Sequence, residues 1–234
     1  TGLQILNAQK YNNALITAID ISCSSLSFAQ RKINELGIKN VNLIQMDILE
    51  VALLKEEFDI IECCGVLHHM ADPLQGLNAL LKIFNPKGFM KLSLYSELSR
   101  KSIVKARDYI QAKNLNPNID NIRNLRKDIL AGKLPELNSL ISNGSDFYNT
   151  SNFRDLCFHF QEHRFTFQQL EEILFSHKLK FLGFYLPQKN KSLYQQYFPE
   201  DKRQTNLKNW GEVERKHPGI FGATPPFWVT KISI

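Results

Sequence analysis

"ALITAIDIS", residues 14–22, is the stretch whose reading decides the fold. Ala14 to Ile19 is a short apolar, β-leaning run; it ends on a carboxylate, Asp20, and a serine-rich helix start follows. In a doubly wound α/β fold, ligands bind beyond the carboxyl ends of the strands, and a carboxylate in this place holds a ribose. A glycine-rich turn precedes that carboxylate by roughly 20 residues. Gly2 stands at about that distance with no strand in front of it, so the expectation is a fold whose first strand is missing from this sequence.

The same rhythm continues outward. Leu26, Ala29, Ile33 and Leu36 fall at near-helical spacing, and Gly37 closes that helix. Val41 to Met46 reads as the next strand and ends on Asp47; Phe58 to Cys64, apolar on both faces, reads as a central parallel strand. In "ADPLQGLNALLKIFNPKGF", residues 71–89, Asp72 is the expected helix cap and Pro73 the first helical residue. Asn85-Pro86 is expected to stop the helix, Gly88 to turn the chain, and Phe89 to Tyr95 to form the following strand. Alternation of this kind is the signature of parallel βαβ units. From Glu97 to about Phe165 the sequence is basic, asparagine-rich and helical in pattern, as an insertion lying over the sheet would be. Thr166 and Gln169 then form a capping box, with Phe165 and Leu170 placed as a hydrophobic staple. Strands are expected at Lys180 to Leu186 and Phe227 to Ile234.

With 234 residues, 43% of them apolar, the chain can bury one substantial core, so one domain with an insertion, or at most two small ones, is expected. No run approaches about 18 uninterrupted apolar residues, so neither a membrane span nor a secretory leader is expected. Cys23, Cys63, Cys64 and Cys157 fit neither a metal-binding spacing nor a disulfide framework, and a reducing cytoplasm is the simplest home. The formal charge of +6 is spread out, with a mild concentration from Arg100 to Lys133; it admits nucleic acid as a partner without favouring it.

Asp20 and Asp47, at successive strand ends, are placed to accept from ribose hydroxyls and from an adenine amino group, with Ile21 and Ile48 beside them. The competing reading of each is a helix cap or turn. At Cys64 and Gly65 a strand emerges where backbone can approach a ligand closely, and His68 and His69 follow as candidate proton acceptors near neutral pH. Tyr95 ends a central strand, and Arg100 and Arg107 follow two turns apart on one helical face, able either to grip an acidic substrate or to face solvent. "HFQEH", residues 159–163, has the spacing of an inverted zinc-peptidase motif, which needs both histidines on one helical face. The capping box at Thr166 places His163 in the approach to a new helix instead, leaving His163 and Arg164 as packing or substrate-contacting residues, and no metal is expected.

Strand-Asp20, strand-Asp47, "FDIIECCGVLHHMADP" and "NPKGFMKLSLYS", in this order, resemble the class I S-adenosylmethionine-dependent methyltransferases. The narrower resemblance is to small bacterial methyltransferase domains found behind tetratricopeptide repeats, carried by "LYSELSR", "DLCFHFQEHRFTFQQLEEIL" and "FGATPPFWVTK". The resemblance implies a Rossmann-like doubly wound sheet with its last strand antiparallel, inserted beside Lys180 to Leu186. It implies three parts: a cofactor-binding core at 1–97, a helical insertion over the active site at 98–165, and the rest of the sheet at 166–234. It also implies S-adenosyl-L-methionine as cofactor, held by Gly2, Asp20, Ile21, Asp47, Ile48, Cys64 and Gly65. His68 or His69 would be the base, and Tyr95, Arg100, Arg107, His163 and Arg164 would face an unidentified, acidic methyl acceptor. Upstream tetratricopeptide repeats are a further implied partner. A nicotinamide-dependent dehydrogenase, which also uses an acid after its second strand, and a degenerate domain serving as an interaction module remain the alternatives.

Overall fold

The computed structural model describes residues 5–7, 13–159, 161–222 and 225–232. In chain order the elements are β1 (Ile16–Asp20), α1 (Cys23–Leu36), β2 (Val41–Gln45), β3 (Phe58–Cys64), α2 (Pro73–Lys82), β4 (Phe84–Ser93) and β5 (Tyr95–Ser96). There follow α3 (Lys101–Ala112), α4 (Ile119–Leu130), α5 (Ser145–Tyr148), α6 (Thr150–Phe158), β6 (Arg164–Phe165), α7 (Phe167–Ser176), β7 (Leu179–Phe184), α8 (Gln188–Tyr197), α9 (Leu207–Lys216) and β8 (Pro226–Lys231). The chain divides into two compact units, one formed by Thr1–Phe58 with Leu74–Asn85, the other by Asp59–Pro73 with Pro86–Ile234.

In the first unit β1 and β2 pair in parallel, Ile16 opposite Val41 and Asp20 opposite Gln45. The connection is α1, whose N-cap Ser22 accepts from the Ser25 amide and whose C-cap Gly37 adopts a left-handed φ of +64°, its N–H reaching the carbonyls of Ile33 and Asn34. Ala29 and Ile33 bury one stripe of that helix with Ile5, against half-buried Ala18, Val41 and Leu43.

In the second unit the sheet order is β3-β4-β8-β7. β8 runs antiparallel to both neighbours, Met90 opposite Val229 on one side and Phe181 opposite Val229 on the other, so the last strand is the antiparallel one that the sequence led us to expect. Met90, Leu92, Phe181, Phe184, Phe227 and Val229 are buried, whereas Phe89 and Lys180, at alternate positions on these strands, are exposed. Helices α3, α4 and α6 share a separate apolar core built on Ile103, Ala106, Ile122, Leu125, Ile129, Phe147 and Phe153.

Several strand boundaries differ from expectation: β4 ends at Ser93 and Tyr95 opens β5 instead of ending a central strand, β7 is Leu179–Phe184, and the largest difference is at the start of β4. Phe89 is not the start of a strand after a turn at Gly88: β4 is already extended at Phe84 and runs through Asn85, Pro86 and Gly88. Tertiary bonding overrides the breaker composition there, since the Gly88 carbonyl accepts from Thr230 Oγ1 at 2.9 Å and the Ile83 carbonyl accepts from the Phe58 amide at 2.8 Å. Proline near the start of a strand costs no more than one ladder donor.

Candidate active site

In the first unit both predicted carboxylates stand at the carboxyl edge of the parallel pair. Asp20 is the last residue of β1, and its Oδ1 accepts from the Ser22 amide at 2.8 Å. Asp47 lies two residues past β2 and caps a 3₁₀ segment, Ile48–Leu54, its Oδ1 accepting from the Leu49 amide at 2.9 Å. Among the described residues the second oxygen of each has no hydrogen-bond partner, so capping and ligand binding are compatible in one side chain. Ile21 is 69% exposed beside Asp20, and Ile48 is half-buried. Gly2 lies outside the described residues.

In the second unit β3 ends at Cys64, a half-buried thiol whose pKa burial pushes up. Gly65 follows at φ +81°, its N–H donating to Ser93 Oγ at 3.1 Å, with open space where a Cβ would stand. A short 3₁₀ turn, Leu67–His69, then delivers two histidines into a column of stacked groups. His159 lies on His69 with ring centres 3.9 Å apart, His69 meets His68 edge-on at 4.4 Å, His68 lies on Tyr95 at 3.8 Å, and the Arg100 guanidinium covers Tyr95 at 3.9 Å.

The Gln161 carbonyl sets the proton position of His69 in this column. It lies 3.0 Å from His69 Nδ1 and 2.8 Å from His159 Nδ1. A carbonyl only accepts, so His69 Nδ1 carries the proton and His69 Nε2 is the accepting nitrogen, whereas His159 Nδ1 also lies 3.3 Å from the donating Gln161 amide and is compatible with either tautomer. His69 Nε2 faces the Tyr95 hydroxyl at 3.5 Å. Burial holds His69 below the ordinary histidine value and raises the Tyr95 phenol, so at neutral pH the first is an unprotonated base and the second a hydrogen-bond donor.

His68, expected as an alternative base, is instead a packing ring. It is fully buried, burial pushes its pKa down to about 3, and among the described residues neither ring nitrogen has a hydrogen-bond partner of ordinary geometry. A group with no open face and no affinity for a proton near pH 7 cannot accept one from a substrate.

The expected arginines converge on the chain's own Glu162. Arg100, capping α3 and 1% exposed, forks onto this carboxylate, Nε donating to Oε1 at 3.1 Å and Nη2 to Oε2. Arg107 brings Nη1 to Oε2 at 3.2 Å and Nη2 to the His159 carbonyl at 2.7 Å, while Arg164 Nη1 stands 3.9 Å from Oε1. The reading of Arg100 as a substrate grip therefore gives way to a buried internal ion pair. On the next residue of the turn, Ser96 Oγ donates to Glu214, a buried carboxylate of α9 that also accepts from Ser99 Oγ at 2.9 Å. That pairing fixes the segment between Tyr95 and Arg100.

His163 donates its amide to the His68 carbonyl at 2.8 Å, and its Nε2 lies 3.3 Å from the Gln161 side-chain nitrogen. Helix α6 ends at Phe158 and His159 is already extended, so His159 and His163 do not share a helical face as a zinc-peptidase pair would. His159 and Glu162 were noticed in the sequence only as members of the "HFQEH" spacing weighed for zinc, and the Gln161 carbonyl was not singled out.

An α/β architecture with an antiparallel last strand and carboxylates at the ends of its first two parallel strands defines the Rossmann-like methyltransferase class. The chain belongs to the methyltransferase domain family, whose model matches residues 2–150. An uncharacterised protein of Synechococcus sp. is 33% identical over 181 residues, 74% of this chain and 43% of that protein. PKMT2 from Rickettsia typhi in complex with AdoHcy superposes with a TM-score of 0.70 at 18% identity, over 97% of this chain and 46% of that one. The plantazolicin methyltransferase BpumL, in complex with a triazolic desmethylPZN analog and SAH, gives a TM-score of 0.52 at 15% identity, over 99% of this chain and 74% of that one. The chain spans less than half the length of the Synechococcus relative and of PKMT2.

Proposed function

We propose that this chain transfers the methyl group of S-adenosyl-L-methionine to a protonated oxygen or nitrogen nucleophile. The observation that carries the reading is the pair of carboxylates at the carboxyl edge of β1 and β2, each with one oxygen engaged in its own turn and a second without a partner among the described residues. That donor-hungry arrangement fits the hydroxyls and amino group of an adenosine, with exposed Ile21 offering apolar surface beside Asp20. The left-handed Gly65, with open space in place of a side chain, lets backbone come close to a ligand. When bound, the cofactor supplies a sulfonium-activated methyl group.

The chain's own part is alignment, enclosure and removal of a proton. His69 accepts that proton at Nε2, because its Nδ1–H is given to the Gln161 carbonyl. The Tyr95 hydroxyl, 3.5 Å from the same nitrogen, supports a reading in which the acceptor's hydroxyl or amino group would lie beside it. The nicotinamide alternative shares Asp20 but leaves Asp47 its capping role alone, and the interaction-module alternative leaves both carboxylates only their turn and capping roles.

Calorimetric titration separates the three. S-adenosylhomocysteine is expected to bind, NAD not to bind, and Asp20→Ala to weaken S-adenosylhomocysteine by roughly tenfold or more, the scale of lost hydrogen bonds to a charged acceptor. Binding of NAD in place of S-adenosylhomocysteine, or of neither, overturns the proposal.

A further inference from the structure

Glu162 is fully enclosed, and its two oxygens are already saturated by charged donors. Oε1 accepts from Arg100 Nε at 3.1 Å and Oε2 accepts from Arg100 Nη2, while Arg107 Nη1 stands 3.2 Å from Oε2 as an ion-pair neighbour. Those two guanidiniums are committed further, Arg100 to the Leu156 carbonyl and Arg107 to the His159 carbonyl. Arg164 differs from both. Its nearest acceptor in the cluster is Glu162 Oε1 at 3.9 Å, beyond hydrogen-bond length, and a third of its side chain is open to solvent (33%). Of the three guanidiniums within 4.0 Å of this carboxylate among the described residues, Arg164 is the most exposed, and it is the member able to share its charge with something arriving from outside.

Its place in the fold says what that would accompany. β5 and β6 pair in parallel with Tyr95 opposite Arg164, and partners in register send their side chains to the same face of the ladder. The Tyr95 hydroxyl on that face is 3.5 Å from the accepting nitrogen of His69. On the opposite face, Ser96 turns to Glu214.

We propose that Arg164 is the recognition residue for an anionic group, a carboxylate or a phosphate, carried by the methyl acceptor. The role of that anion as part of an acceptor rests on the methyl-transfer reading; the anion site itself does not. The planar guanidinium fork bonds both oxygens of such a group at once, and Arg100 and Arg107 add positive field from behind without giving up Glu162. The acceptor class is accordingly a hydroxy or amino compound bearing an acidic group, held by the acid at Arg164 and presenting its nucleophile to His69.

The test uses small probes on the full chain saturated with S-adenosylhomocysteine: benzoate, the neutral isostere benzamide, and inorganic phosphate, each titrated calorimetrically. Benzoate or phosphate is expected to bind saturably and benzamide not to, with Arg164→Gln weakening the anion roughly tenfold and Arg164→Lys recovering part of it. Which anion binds more tightly distinguishes a carboxylic from a phosphorylated acceptor. Unchanged thermal melting of both variants shows that Glu162 and its buried arginines remain in place. Equal affinity in Arg164→Gln, equal binding of benzamide, or no saturation by either anion overturns the proposal. Failure of S-adenosylhomocysteine to bind overturns the methyl-transfer reading and leaves the anion result, measured without it, standing on its own.

Discussion

His69 gives its Nδ1 proton to a carbonyl and keeps an accepting Nε2, whereas His68, one residue earlier, has no partner for either nitrogen among the described residues. The difference has a consequence for stability against pH. The folded pKa of His68 is pushed down to about 3, well below its ordinary value of 6.5, so its contribution is fully present above pH 6.5 and is lost as the pH falls from there toward 3. At pH 5 the loss is about 2 kcal/mol, from 1.36 kcal/mol for each of the roughly 1.5 units below the free value. His68→Phe keeps a ring on Tyr95 without a proton to gain, and should flatten the acid limb of denaturant midpoint plotted against pH while leaving the midpoint at pH 8 nearly unchanged or higher. An acid limb as steep as that of the parent would assign the loss to other groups. None of this was legible in "HHMADP", where two adjacent histidines look alike; what separates them is that one lies under Tyr95 and the other under His159.

Elements were far more legible than contacts, and for a local reason. Helix α7 begins where the sequence says it should because its signal is contained in four residues: Thr166 Oγ1 accepts from the Gln169 amide at 3.1 Å, and Gln169 Oε1 accepts from the Thr166 amide at 2.9 Å. Removing half of that box by Thr166→Ala should cost about 1 kcal/mol, read as a lower urea midpoint with an unchanged slope; no change would show that packing of Leu170 and Leu174 alone sets the helix start. The Gly37 cap and the bounds of the strand Phe58–Cys64 were equally local, whereas its expected central place was not legible: β3 stands at the end of the order β3-β4-β8-β7, with Asp59, Ile60 and Glu62 exposed. The start of β4 was not, because Asn85-Pro86-Lys87-Gly88 has the composition of a turn and is drawn straight by partners as distant as Thr230. Arg100 and Arg107 were correctly placed two turns apart, but the acid between them is supplied by Glu162, a connection that helical spacing does not contain.

At the scale of the whole molecule, the two units differ in how much apolar surface each encloses. β1, α1 and β2 rest on a small cluster of Ile5, Ala29 and Ile33, and Leu15 and Ile21 at the ends of β1 are 91% and 69% exposed. Helices α3, α4 and α6 instead enclose a dozen buried residues, from Ile103 to Cys157. Amides of β1, α1 and β2 should therefore exchange through an opening of lower free energy than those of α3 and α4, measured by hydrogen exchange in rising sub-denaturing urea. Equal opening energies and equal urea dependence would make the two units one cooperative block.

Gly65, at the end of β3 just before the histidines, carries a restriction of a different kind. Nothing stands within 4 Å of the place a methyl group would take, yet φ is +81°. The position thus excludes side chains by their handedness and not by their size. An L-alanine would pay about 1–2 kcal/mol in backbone strain at such an angle, whereas its mirror image would lie in its own preferred region with room to spare. Any ligand drawn in beside this strand end meets backbone that an achiral residue supplies without strain, and the distance of closest approach is set there by stereochemistry rather than by packing.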